Sequence, residues 1–304
     1  MMDETEERAA SLGRLRGLLD DIGSSKVTLI GDVMLDRFHQ GYANNLDSTA
    51  PVPVLKILSS EETPGAAAHI AMGLNSLGLQ IDLHCCVGDD REGMVIIEKL
   101  SDKGIDTGGI TVVPERSTLT KIRFYGSRES LLEKSQILLQ ADRGPREPLP
   151  EGVSEGLTEQ AMSSLRESCA IVLSDYDKGV LNADGSKALI EAAKEAGLPV
   201  IMDPKLTGLD RSRGADVVLF EKRGLDLLSR RQMTSNPADA AKSLIGEYGW
   251  GSMLVLGGIH GVTLYQSGLE EMHIPCAAPA PVQQIGLHDA TATALAAALG
   301  NDLS

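Results

Sequence analysis

The sequence has no C-x-x-C pair among its four cysteines, no basic leader, no apolar run long enough to cross a bilayer and no excess of positive charge. Each absence narrows the function. Cys85, Cys86, Cys169 and Cys276 show neither zinc-site spacing nor a disulfide framework, and three of them sit in or beside apolar strand-like runs, where a buried thiol is the ordinary fate. No metal site is read from them. Charges or glycines interrupt every candidate span, and no basic region precedes an apolar stretch at the start, so no membrane partner is expected and the cytoplasm is the expected location. A formal net charge of −15 opposes a nucleic-acid partner, although a local phosphate site needs only a few cations and helix ends.

What is present is a chain of 304 residues, 42% hydrophobic, which can bury a substantial core. Leu12, Leu15, Leu18, Leu19 and Ile22 recur at helical spacing, so an amphipathic helix is expected to run from Glu4 to Ile22. The stretch "KVTLIGDVMLD" then reads as an apolar strand ending in Gly31 and Asp32, which brings Asp32 and Asp36 to the C-terminal edge of a sheet. "APVPVLKIL" alternates and carries prolines, as an edge strand does, and "STLTKIRFYG" is similarly mixed. Together they predict a small sheet flanking the main body as a lid. Between them "ETPGAAAHIAMGLNSLG" is expected to enter a helix at a Pro-Gly turn, with Ala67, Ile70, Ala71 and Leu74 on its apolar face.

The second half alternates short apolar strands with amphipathic helices, which predicts βα units and a mostly parallel sheet covered on both faces. "ADRGPREPLPEG" is polar and proline-rich, hence a surface connection. In such sheets ligands bind beyond the C-terminal strand ends. Acids and lysines collect there at three strands: Asp32 and Asp36, Asp175 and Lys178, Asp203 and Lys205. The plain alternative is that these acids cap helices and solvate strand ends, with Asp175 and Asp203 best placed for that. Asp289 stands at the mouth of the closing helix, where a carboxylate gains ~0.3–1 kcal/mol from the helix dipole whatever else it does.

The segments "LIGDVMLDRF", "APVPVLKI", "TPGAAAHIAMGLNSLG", "VGDD", "TLTKIR", "VLSDYDKGVL", "MDPK" and "GLHDATATALAAA" occur in the order of the ribokinase (PfkB) family of sugar kinases. From Val27 onward the chain resembles that family, and within it the heptose 7-phosphate kinase branch. The resemblance implies a single ribokinase-like domain over 1–304, a three-layer α/β/α body with a mostly parallel central sheet and a small β lid. The lid is expected at about 38–58 and 111–128. It also implies ATP and Mg²⁺ as cofactors, a sugar phosphate as partner and a homodimer formed through the lid.

By the same resemblance Asp289 is the base that takes the sugar hydroxyl's proton, and Gly286, Leu287 and His288 form the anion hole. Asp36, Gly65, His69, Lys121 and Arg123 are the expected sugar contacts. Lys178, Asp203, Lys205, Glu221, Gly258 and Gly261 are the expected nucleotide contacts, with no protein metal cage.

Departures from the family pattern cluster at the site. The turn reads "QQIGLHD", with Leu287 for an alanine and His288 for a glycine, which crowds the place where a phosphate would approach. In "GAAAHIA" Ala66 replaces a glycine and His69 an asparagine, and in "EKRG" Glu221 and Gly224 replace the asparagine and glutamate that organise Mg²⁺. "SRESLLEK" departs from the lid pattern, and the chain closes at "GNDLS", so the C-terminal part of the family fold is expected to be missing. Two functions remain open: a kinase using Asp289 in an altered turn, and a catalytically impaired scaffold that binds ligand or dimerises. His69 reads as a core histidine or a sugar contact; His39, His84, His260 and His273 read as packing or surface residues.

Overall fold

The computed structural model describes residues 12–14, 16–17, 19–20, 22, 25–128, 135–231, 233–234, 236–276 and 285–303. The expected first helix falls mostly outside these; its described residues up to Asp20 are helical and Ile22 is not, and Leu12 and Leu19 are exposed while Ile22 is buried.

The strands in chain order are β1 (Lys26–Gly31), β2 (Val33–Leu46), β3 (Pro53–Ala66), β4 (Gln80–Gly88), β5 (Ile110–Val113), β6 (Thr120–Ser127), β7 (Gln136–Arg143), β8 (Ser168–Ser174), β9 (Val200–Asp203), β10 (Val217–Glu221), β11 (Ser252–Leu256), β12 (Val262–Gln266) and β13 (Met272–Ile274). Nine form one sheet, ordered β13-β12-β11-β10-β9-β8-β1-β4-β5. Pairing is parallel from β11 through to β5, and antiparallel only where β12 and β13 close one edge. The helices are α1 (Ala67–Ser76), α2 (Arg91–Ser101), α3 (Val153–Ser164), α4 (Ala183–Glu195), α5 (Lys222–Arg231), α6 (Pro237–Tyr248) and α7 (Leu287–Leu299).

The central strands are apolar end to end because both faces are covered. Their alternating side chains divide between two cores. Leu29 and Val172 pack with Ile70, Leu74 and Ala296 beneath α1 and α7, while Ile30, Ile171 and Leu173 pack with Leu157, Leu189 and Leu244 beneath α3, α4 and α6. The apolar face expected of α1, Ala67, Ile70, Ala71 and Leu74, is fully buried.

A second sheet, ordered β3-β2-β6-β7, forms the lid. It is larger than the sequence suggests. β2 continues from the body almost without a break, β3 runs on to Ala66, and β7 adds a strand that the mixed polar pattern of "QILLQADR" did not announce. The second expected lid segment divides, because Ile110–Val113 pairs with β4 in the main sheet and only β6 joins the lid. Pro64 and Gly65 are not a turn but the last residues of β3 opposite Leu35 and Met34, and the chain bends at Ala66, whose φ is 55°. The bend is needed because Ala66 ends a lid strand and Ala67 begins a body helix.

Candidate active site

The lid and the C-terminal ends of the central strands enclose a cavity of about 430 Å³. Asp36, Lys121 and Arg123 come from the lid. Tyr176 follows β8, Asp203 ends β9 and Lys205 follows it, and Glu221 and Arg223 come from the β10–α5 junction. Gly286, Leu287, His288 and Asp289, at the start of α7, complete it, and Leu206, Phe220 and Leu227 supply an apolar wall.

Gly286 caps α7 in the left-handed region, φ 79°, and among the described residues no side chain caps the N-terminal amides of the helix. A Cβ there would stand 2.8 Å from the ring of His69, so glycine is required by shape as well as by dihedral. Asp289 lies in this first turn, where the helix dipole favours its carboxylate. Its Oδ2 is 2.9 Å from His69 Nδ1, and its buried Oδ1 has no hydrogen-bond partner. The bond to Asp289 raises the His69 pKa above its ordinary value, burial working against it and Asp36 with it.

His288 forms a second pair. Its Nδ1 is 2.9 Å from Asp203 Oδ1 and its Nε2, buried and without a hydrogen bond, is 3.9 Å from Glu221 Oε1. Burial depresses the imidazole pKa, but the bond to Asp203 and the nearby Glu221 outweigh it and the net shift is upward. Asp36 is likewise committed: Arg123 donates to its Oδ1. Gly65 lies directly behind it, where a Cβ would collide with Asp36 Oδ2.

Three carboxylates of the cavity thus have internal partners, whereas three of its cations do not. Lys121, Lys205 and Arg223 form no ion pair with the described residues. The two lysines instead sit over Tyr176, Lys205 Nζ at 4.0 Å and Lys121 Nζ at 5.2 Å from the ring centroid. Burial lowers the Lys121 pKa, and repulsion from Lys205 lowers it further. In a chain of net charge −15, two amines held this close are a local concentration of positive charge.

Some expected residues lie elsewhere. Lys178 lines a separate crevice with Asp32 and Arg116, and Gly258 and Gly261 bracket the turn between β11 and β12, outside the lining of the cavity. Asp32 accepts the backbone N–H groups of Tyr176, Lys178 and Val180, and burial lifts its pKa to about 6. Asp175 is buried against Arg211. Neither acid lines the cavity: Asp32 is taken up by loop amides and Asp175 by an ion pair, while Asp203, the other acid suited to a capping role, is bonded to His288. Tyr176 and Arg223 were missed, although each stands inside a segment already singled out, "SDYDKG" and "EKRG".

Residue type is compatible with a nucleotide. Lys205, Arg223 and the uncapped turn of α7 suit a polyphosphate. Among the described residues no group of three His, Cys, Asp or Glu is arranged to hold a metal ion. Glu221, whose side chain is mostly exposed, is the carboxylate left to meet a Mg²⁺ carried in on phosphates, the usual mode for that ion.

A doubly wound α/β body, a second β sheet over it and a cavity with a buried carboxylate at a helix mouth place the chain in the lidded α/β class. More narrowly, residues 24–304 match the pfkB family of carbohydrate kinases, and the chain belongs to that family. It is 30% identical over 286 residues to the bifunctional protein HldE of Vibrio cholerae serotype O1, covering 94% of this chain and 58% of that protein. It is 33% identical over 289 residues to the bifunctional protein HldE of Pectobacterium atrosepticum, with the same coverage. The chain therefore spans a little over half the length of these curated relatives. Arabidopsis thaliana ribokinase complexed with ribose and ATP shares the fold, with TM-score 0.68, 18% identity and coverage of 92% and 88% of the two chains. So does Escherichia coli phosphofructokinase-2 complexed with fructose-6-phosphate, with TM-score 0.69, 18% identity and the same coverage.

Proposed function

We propose that this chain transfers the γ-phosphoryl group of ATP to a hydroxyl of a sugar phosphate, of the heptose 7-phosphate kind, with Asp289 as the proton acceptor. One observation carries the reading. Lys121 and Lys205, which form no ion pair with the described residues, flank Tyr176 in the same cavity as the buried Asp289, whose Oδ1 has no hydrogen-bond partner among them. Lys121 is half-buried and Lys205 exposed, and two ammonium groups held over one ring repel each other until an anion joins them. Lys121, on the lid, suits the acceptor's phosphate, and Lys205 with Arg223 suits the donor's.

In the reaction the acceptor O–H bond breaks as its oxygen bonds to the γ-phosphorus, the proton passes to Asp289, and the bond from the γ-phosphorus to the β-phosphate oxygen breaks to release ADP. The amides opening α7 and Lys205 face the charge that develops on the transferring group. Mg²⁺, arriving on the nucleotide, would screen phosphate charge beside Glu221. Asp36, held by Arg123 and braced by Gly65, suits a sugar hydroxyl.

A second reading is supported by His288. Its ring stands in the first turn of α7, tied to Asp203, and that crowds the turn against phosphate. On this reading the chain is a ligand-binding or dimeric scaffold with catalysis lost.

Calorimetric titration with ATP and Mg²⁺, with and without heptose 7-phosphate, separates the two. Saturable nucleotide binding that strengthens with the sugar phosphate, and turnover abolished in a folded Asp289→Asn variant, supports the kinase. Folded protein that takes up neither ligand sinks it.

A further inference from the structure

His69 and Asp289 are 220 positions apart in sequence and joined by a 2.9 Å bond between α1 and α7. We propose that His69 is a positioning residue for Asp289: by holding Oδ2 it leaves Oδ1 as the oxygen that accepts the hydroxyl proton, and its charge sets the pH range in which Asp289 works. The inference rests on the phosphoryl-transfer reading above.

The geometry restricts Asp289 and leaves His69 open to water. The Asp289 side chain is only 9% exposed and His69 is its hydrogen-bond partner among the described residues, whereas the His69 side chain is 42% exposed and open to exchange protons with solvent. The glycine at 286 is what admits the ring, since a Cβ there would meet it. The charged groups facing His69 are Asp289 from α7 and Asp36 from β2, the latter itself paired with Arg123 from β6. Both acids favour the imidazolium, the ring's burial disfavours it, and the net shift is upward.

The consequence for chemistry follows from charge. An imidazolium on Oδ2 competes with an incoming proton for the carboxylate's negative charge, and a neutral imidazole donating the same Nδ1–H competes less. Turnover should therefore climb as the pH rises through the titration of His69. An asparagine at this position would keep a neutral donor and lose the titration. Proton balance is unchanged: the hydroxyl proton goes to Oδ1 during transfer and returns to water once products leave.

Two measurements test the inference on the whole chain. The first follows the His69 imidazole by NMR from about pH 5 to 9 in the wild type and in Asp289→Asn. The second takes kcat and KM over the same range, with ATP and heptose 7-phosphate, for the wild type, His69→Ala and His69→Asn. We expect His69 to titrate above its ordinary value and to fall back in Asp289→Asn, and wild-type kcat to rise through the same midpoint. His69→Ala should lower kcat by about tenfold to a hundredfold with KM nearly unchanged. His69→Asn should recover part of that loss without the pH limb.

A His69 titration indifferent to Asp289→Asn overturns the pairing. A pH limb that persists in both His69 variants, or a loss in KM alone, overturns the positioning role. If the wild type turns over at no pH while His69 still responds to Asp289→Asn, the pair is structural, and it is the phosphoryl-transfer reading that has failed.

Discussion

The Nδ1 of His288 lies 2.9 Å from Asp203 Oδ1, tying the end of β9 to the first turn of α7. A residue in the turn proposed to hold phosphate is therefore bonded to a carboxylate lining the same cavity. His288→Gly should free Asp203, open the turn and tighten ATP binding several-fold, at a cost of about 1 kcal/mol because glycine is a poor helix former. Calorimetry and denaturant midpoints on the same preparation check both arms. Weaker ATP binding in a stable variant would instead make His288 a phosphate contact.

The two histidine–aspartate pairs give stability a definite dependence on pH. Both histidines have pKa values raised in the folded chain, His69 chiefly by its bond to Asp289 and His288 by its bond to Asp203 against the effect of burial. The stability each contributes is fully present below the ordinary histidine pKa of about 6.5 and is lost as pH rises through the raised value. Urea unfolding of the wild type and of a His69→Asn, His288→Asn double variant should differ more at about pH 6 than at pH 9. An equal difference at both would show that the pairs carry no charge.

Lys121 and Lys205 share Tyr176 but serve opposite ends of the cavity on the reading above. Lys121→Met should weaken heptose 7-phosphate about tenfold, near 1.4 kcal/mol, and barely alter ATP, while Lys205→Met does the reverse. Both affinities should fall with added salt less steeply in the variants than in the wild type. Titration of each ligand alone into each variant distinguishes these effects from a general loss of charge.

Ala66 holds φ 55° and ψ −130°, a conformation that costs an L-residue about 1–3 kcal/mol and glycine little. Ala66→Gly should raise the unfolding free energy by about 1 kcal/mol, less than the strain because glycine also gains freedom in the unfolded chain. A lower denaturation midpoint would mean that neighbouring packing of the methyl group outweighs the strain.

The lid exposes Val54, Ile57 and Leu58 on its outer strand β3, together with Ile137 and Leu139 on β7. Pairing of two lids across a two-fold would cover them. Sedimentation should give a dimer, and Ile57→Lys with Leu139→Lys should give a folded monomer. A monomeric wild type at working concentration defeats the proposal.

Local pattern carried much of this. Apolar runs flanked by turn residues are enough to define parallel strands buried on both faces, and helical spacing is enough to place Ala67, Ile70, Ala71 and Leu74 against them. A glycine and an acid at the head of a small-residue helix likewise locate Asp289 in that helix's first turn. The lid was legible at β3, where prolines and alternation mark an edge strand that is largely exposed, and at β6, where polar and apolar residues mix. β7 escaped because its residues are nearly all exposed, so it carries no burial pattern.

What the sequence by itself determined is therefore which face of each element is buried and which residues stand at strand ends. Tertiary structure alone decided who neutralises whom: Asp36 with Arg123 across 87 positions, Asp203 with His288 across 85 and Asp289 with His69 across 220. Periodicity encodes the environment of a side chain and says nothing of its partner. Charge pairing depends on a few ångströms between elements that only packing brings together.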